Sequence, residues 1–246
     1  MKIRASLLVK AVGVYSTLVV SLISFAILTS AAPAHEKAII KMALGLILLW
    51  IIVGGTLMYR FRDRFKPFIL RIPLPWQLKF FLFCVLLALL EEAVTVTMTN
   101  LAPLFGAEIG KAYITASANY LHTVLFHSVI MFIPMFLVWT LILHRYAFPP
   151  GHVFLLFGLI GSLAEMSMNA ANVFGGFWFF VYGLMIYLPA YTIPPDRPAR
   201  RPRWWIYLAS VPATLLSPIL LLPAVPLLRY LWRIMQPTFF VPSAWD

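Results

Sequence analysis

An all-α, polytopic transmembrane helical bundle of six to seven spans, with a cytoplasmic N-terminus, is the fold class this sequence predicts, and three observations predict it. Of 246 residues, 62% are hydrophobic and 11% charged, against roughly one-quarter charged in a soluble domain. Apolar stretches of about 20 residues, long enough to cross a bilayer core of about 30 Å as helices, recur along the chain. Lysine and arginine, 19 in all, fall mainly in alternate connections, which is how membrane proteins fix their orientation. The connections leave no room for a water-soluble domain, so a single transmembrane domain, 1–246, is expected.

The first span is Leu7–Leu28. Its basic start, apolar run and small residues near Ala32 and Ala34 also fit a cleavable secretion signal, but the run is long for one and favours a retained helix. Ala38–Met58 is the second span. The stretch "YRFRDRFKPFILRIPLPWQLK" after it reads as a basic cytoplasmic loop, 60–79, lying amphipathically on the membrane surface. Phe80–Leu101 is the third span, Thr123–Leu143 the fourth, Val153–Val173 the fifth and Phe177–Leu188 the sixth. The segment 194–205, with "IPPDRPARRPRWW", reads as a stiff basic cytoplasmic linker ending in interfacial tryptophans. Ile206–Leu228 is a seventh apolar region. It holds Pro212, Pro218, Pro223 and Pro226 and so forms a kinked span or a half-crossing, its freed carbonyls met by Ser210, Thr214 and Ser217.

Orientation follows from the charges. Segments on one side carry Lys2, Arg4, Lys10, Arg60, Arg62, Arg64, Lys66, Arg71, Lys79, Arg145, Arg197, Arg200, Arg201 and Arg203, while the other side carries Lys37, Lys41 and Lys111. The richer side is cytoplasmic. The net charge of +11 is explained by this bias and by attraction to anionic lipid headgroups, so membrane lipids are the expected partners and nucleic acid is not. Cys84, the one cysteine, excludes an intrachain disulfide and a cysteine-built metal cluster. Phosphate loops, nucleophile elbows and the HExxH signature are missing.

The candidate site is the set of carboxylates inside spans. Glu91 and Glu92 in "LALLEEAVTVTMTN" lie 12 and 13 residues beyond Lys79, and Glu165 in "GSLAEMSMNAANVFGG" lies 13 beyond His152. At about 1.5 Å per residue all three sit roughly 18–20 Å deep, at one level. A charge at the bilayer centre costs about 2.5–3.5 kcal/mol on insertion scales, so such residues need partners, water or protons. Carboxylates this close share a proton, the state that general acid–base chemistry uses. Thr95, Thr99, Asn100, Asn169 and Asn172 extend the polar set outward, and His127 in "LHTVLFHSVIMF" reaches the level of Asn169 from the other side, with His122 further out. Threonine and asparagine here serve equally as interhelical glue, and the glutamates as a buried structural network.

Paired glutamates in one membrane helix, a histidine in the next and an asparagine in a later one resemble the intramembrane endopeptidases of the CAAX-prenyl-protease and bacteriocin-processing superfamily. The resemblance covers Glu91 to Asn169. That family carries EExxxR, FxxxH and HxxxN/D; here Glu91 and Glu92 match the first pair, His127 or His122 the second motif, and Asn169 the last asparagine. Val96 stands in place of the family's arginine and Glu165 in place of its last histidine. What the resemblance implies is a water activated by glutamate and histidine for peptide cleavage within the membrane.

Three functions fit these residues. The first is a peptidase-like intramembrane hydrolase with Glu91 or Glu92 as general base, His127 and Glu165 as ligands of a water, of zinc or of another divalent metal, and Asn169 as oxyanion donor. A non-catalytic subunit whose carboxylates bond to other membrane subunits is the second. The third is a small carrier for a lipid-like or proton-coupled substrate.

Overall fold

A computed structural model of the protein describes residues 5–168, 172 and 175–239. Among them every regular element is helical, and extended pairing is confined to one isolated bridge between Tyr146 and Arg200. In chain order the helices are α1 (Ala5–Thr29), α2 (Ala34–Arg71), α3 (Trp76–Asn100), α4 (Tyr120–Phe126), α5 (Val129–Arg145), α6 (Pro150–Met168), α7 (Trp178–Tyr191), α8 (Trp204–Leu215) and α9 (Val225–Phe239). A 3-10 segment, Ser217–Ala224, joins the last two. Among the described residues, five helical stretches are long and apolar enough to cross a membrane, and a sixth is added if α4 and α5 count as one bent span.

Two expectations are corrected. The helix of the second span does not end at Met58: α2 is continuous through Arg71, with a π-helical stretch at Ile47–Gly54. Most of segment 60–79 is therefore helix, not loop. Arginine and lysine are good helix formers, so the helix outlasts its apolar part by 13 residues, roughly 20 Å. It also absorbs Pro67. The fourth span is not one helix. The chain breaks at His127 and Ser128, and α4 and α5 meet at 44°; both His127 N–H and Ser128 N–H turn back to the Thr123 carbonyl, at 3.1 and 2.9 Å.

Lipid and core faces follow from exposure. Leu7, Val14, Leu18, Leu22 and Phe25 of α1 all stand more than half exposed, which no aqueous helix of this length would tolerate as a continuous stripe. Against the interior, α6 and α7 pack most closely because their contact is made by glycine. A Cβ on Gly158 would lie 2.4 Å from the Phe179 carbonyl oxygen, and one on Gly161 would lie 2.0 Å from the Tyr182 ring. Small residues allow backbones to approach this way and generate dispersion contact where the hydrophobic effect is weak. Trp139, Phe136, Phe157, Phe80 and Met185 fill the centre.

Successive long helices run in alternating directions, which gathers the C-terminus of α2 and the N-terminus of α3 with the turn after α5 and the linker after α7. Side chains tie these ends together. Arg62 donates to the Tyr187 hydroxyl at 3.2 Å, Gln77 meets His144 at 3.2 Å, His152 meets the Tyr207 hydroxyl at 3.0 Å and Arg197 donates to the Leu143 carbonyl at 3.2 Å. In the interior the Trp50 indole, set by the π-helical stretch, donates to the Val181 carbonyl at 3.1 Å.

Candidate functional site

Glu91 and Glu92 are both 4% exposed, and their surroundings differ. Adjacent helical residues point about 100° apart. Glu92 is enclosed by hydroxyls: Thr95 and Thr115 donate to Oε1 at 3.0 and 2.6 Å, and Ser128 donates to Oε2 at 2.5 Å. Each donor comes from a different part of the chain. Thr95 is one turn along α3, Thr115 lies in the segment before α4, and Ser128 sits at the break before α5.

That break falls at the level of Glu92. Glu92 is 16 residues into α3, roughly 24 Å, and Ser128 is 17 residues before the end of α5, roughly 25 Å, counted from the same end of the bundle. The fourth span loses its helix at the depth of the carboxylate. Irregular backbone is tolerated inside a membrane protein only where its polar groups find partners, and here they do. Tyr120 donates to the Leu89 carbonyl at 3.0 Å, Asn100 to the Ala118 carbonyl at 2.9 Å and the Ile114 amide to Thr99 at 3.3 Å. Asn100 and Thr99 thus act as glue between α3 and the segment before α4.

Glu165 stands 15 residues into α6, roughly 22 Å from the same end. Tyr182 of α7 donates to its Oε1. Asn172 donates to its carbonyl at 3.0 Å and its Oε2 at 3.3 Å. The Tyr182 ring is held by Gly161 on one side and by Phe132, 5.7 Å away and edge-on, on another. Glu91 lies within electrostatic reach of both Glu92 and Glu165, and Tyr182 within reach of all three. Among the described residues no donor bonds to the Glu91 carboxylate.

His127 lies in the break, near Glu92 and edge-on to His122 with ring centroids 4.7 Å apart. Its Nε2 is buried and meets no hydrogen-bond partner among the described residues. The contacts of Glu165 are instead Tyr182 and Asn172. No group of three His, Cys, Asp or Glu among the described residues could hold a metal ion, so the described residues do not fit a metal centre. Asn169 lies outside the described residues.

No family model matches this chain. Comparison with characterised proteins and with solved structures likewise finds no match. A functional reading therefore rests on the geometry alone. Three participants escaped the sequence reading: Tyr182 looked like one more aromatic in an apolar span, Thr115 like part of an outer loop, and Ser128 like a residue inside a continuous helix. The only signal for Ser128 was its place directly after His127.

Proposed function

We propose that the protein is an integral membrane hydrolase, peptidase-like, with its N-terminus cytoplasmic and an acid–base centre formed by Glu91, Glu165 and Tyr182. One observation carries this: of three carboxylates at one level, Glu92 and Glu165 are held by donors, and among the described residues Glu91 is not. A carboxylate that no donor pins is the one placed to exchange a proton with water or substrate. As general base, Glu91 takes a proton from water while the water oxygen bonds to the substrate's carbonyl carbon. It returns the proton to the amine as the C–N bond breaks. Tyr182, bonded to Glu165 and within electrostatic reach of Glu91, is the phenol that turns its donor to the developing oxyanion. Glu92 orders the chain around the site, and no step needs a metal.

An apolar carbodiimide tests the centre directly. It adds a protonated buried carboxyl across its C=N bond without loss of atoms, and peptide mass mapping locates the adduct. Glu91 is the expected site, with Glu92 and Glu165 spared, and Glu91→Gln abolishes the labelling. Hydrolysis is tested by comparing membrane peptides from cells that express wild type or a stably folded Glu91→Gln variant. Identical peptide sets would end the peptidase reading. Labelling at Glu91 without any peptide difference would favour a proton-coupled carrier, a reading supported by the helix break at the level of the carboxylates, as discontinuous helices form carrier sites.

A further inference from the structure

Two groups stand out among the basic residues at the shared end of the bundle. Arg62, Lys79 and Arg197 are spent on the protein itself. Arg62 bonds to Tyr187 and lies over the Tyr59 ring, Lys79 donates to the carbonyls of Leu70 and Ile72, and Arg197 reaches the carbonyls of Leu143, Pro194 and Tyr146. Arg145, Arg200, Arg201 and Arg203 are exposed, and their side chains make no ion pair among the described residues.

Two of these arginines, Arg145 and Arg200, are joined through backbone, and Arg201 and Arg203 follow closely in the chain. The Arg200 amide donates to the Arg145 carbonyl at 3.0 Å and the Ala147 amide to the Arg200 carbonyl at 2.8 Å, so the linker is stitched to the turn between α5 and α6. Arg197 adds a side-chain strut to the same turn. Pro194, Pro195, Pro198 and Pro202 fix the linker's φ angles and lower the entropy lost on binding. Asp196 is the one acid in the linker, and the Asp63 carboxylate on α2 is already engaged, by the Tyr191 hydroxyl at 2.5 Å and by Arg62.

We propose that Arg145, Arg200, Arg201 and Arg203 form a binding site for the phosphate of an anionic phospholipid, an inference that rests on the chain spanning a membrane. Guanidinium groups match phosphate oxygens in geometry as well as charge. A lipid is the occupant, not a free anion, because Trp204 and Trp205 follow the arginines directly at 75% and 47% exposed, and exposed Leu208 on α8 and Leu216 just past its end continue the apolar surface. Tryptophan at headgroup level and leucine beyond it suit an acyl chain.

The test uses the full-length protein in mixed micelles, with phosphatidylglycerol or phosphatidylcholine added and bound lipid counted by native mass spectrometry. Phosphatidylglycerol should stay bound and raise the melting temperature, and phosphatidylcholine should not. Replacing Arg145, Arg200, Arg201 and Arg203 by glutamine should weaken phosphatidylglycerol retention about tenfold or more, whereas Arg60→Gln with Arg64→Gln, exposed on α2, should leave it nearly unchanged. The clamp uses main-chain atoms, so the quadruple variant should keep its melting temperature in phosphatidylcholine. Should it not, Arg201→Gln with Arg203→Gln decides. Equal retention of the two lipids, equal losses from the α2 pair, or the same stabilisation by inorganic phosphate alone would each overturn the proposal. Carbodiimide labelling of Glu91 should persist in the quadruple variant, which separates this site from the carboxylate centre.

Discussion

Glu91 and Glu92 occupy consecutive positions on α3, yet substitution should affect them in opposite ways. Three hydroxyls converge on Glu92. Glu92→Ala leaves Thr115 without its acceptor and throws Thr95 and Ser128 back on the carbonyls of Glu92 and Thr123. An unsatisfied buried group costs about 1–3 kcal/mol, and with the tie between three parts of the chain lost the variant should melt below wild type in detergent. Glu91→Gln removes a charge that no described donor stabilises and should leave the melting temperature unchanged or raise it. Thermal denaturation of the two variants side by side checks this, and equal destabilisation would mean that Glu91 has a structural role as well. Tyr182→Phe deletes the donor to Glu165 while keeping the ring that Gly161 packs against. It should retain the fold and lower activity, and full activity would remove the phenol from the mechanism.

Elements show where sequence reasoning reached and where it stopped. Counting residues from the basic ends placed Glu91, Glu92 and Glu165 at one level, because a helix rises by a fixed amount per residue and the ends are marked by charge. The extension of α2 to Arg71 escaped that logic. Hydropathy reports where lipid ends, not where the helix ends, and the basic residues beyond Met58 are as helix-compatible as those before it. The break at His127–Ser128 escaped because the acceptor that Ser128 meets there, Glu92, is on another helix. Close packing of α6 on α7 depends on Gly158 and Gly161, and it yields a graded prediction. Gly158→Ala sets a methyl against a backbone oxygen that cannot move aside and should cost about 1–3 kcal/mol. Gly13→Ala, whose Cβ would meet only Phe180 at an ordinary 3.5 Å, should be neutral or stabilising by up to about 1 kcal/mol. Melting temperatures that rank the two alike would contradict the packing argument.

For the whole molecule, charge and helix direction make one joint prediction. The turn after α5, the linker after α7 and the C-terminus of α2 share one end of the bundle, joined by Arg62–Tyr187, Gln77–His144 and Arg197–Leu143. At the other end Lys41 donates to the Phe105 carbonyl at 3.2 Å, next to the segment that carries Lys111. Placing the arginine-rich end outside would move a large excess of positive charge across the bilayer against the potential, at about 2.3 kcal/mol per charge per 100 mV, so that end should face the cytoplasm. Cys84, the native cysteine, is fully buried and can be replaced by alanine to give a silent background. In intact cells a membrane-impermeant thiol reagent should then label Lys111→Cys and spare Arg64→Cys and Arg201→Cys, and lysis should expose the last two together. Labelling of Arg64→Cys and Arg201→Cys on different sides would break the shared end and the phosphate site built on it. Labelling of both from outside would invert the molecule, leaving the carboxylate level intact while reversing the face from which its substrate arrives.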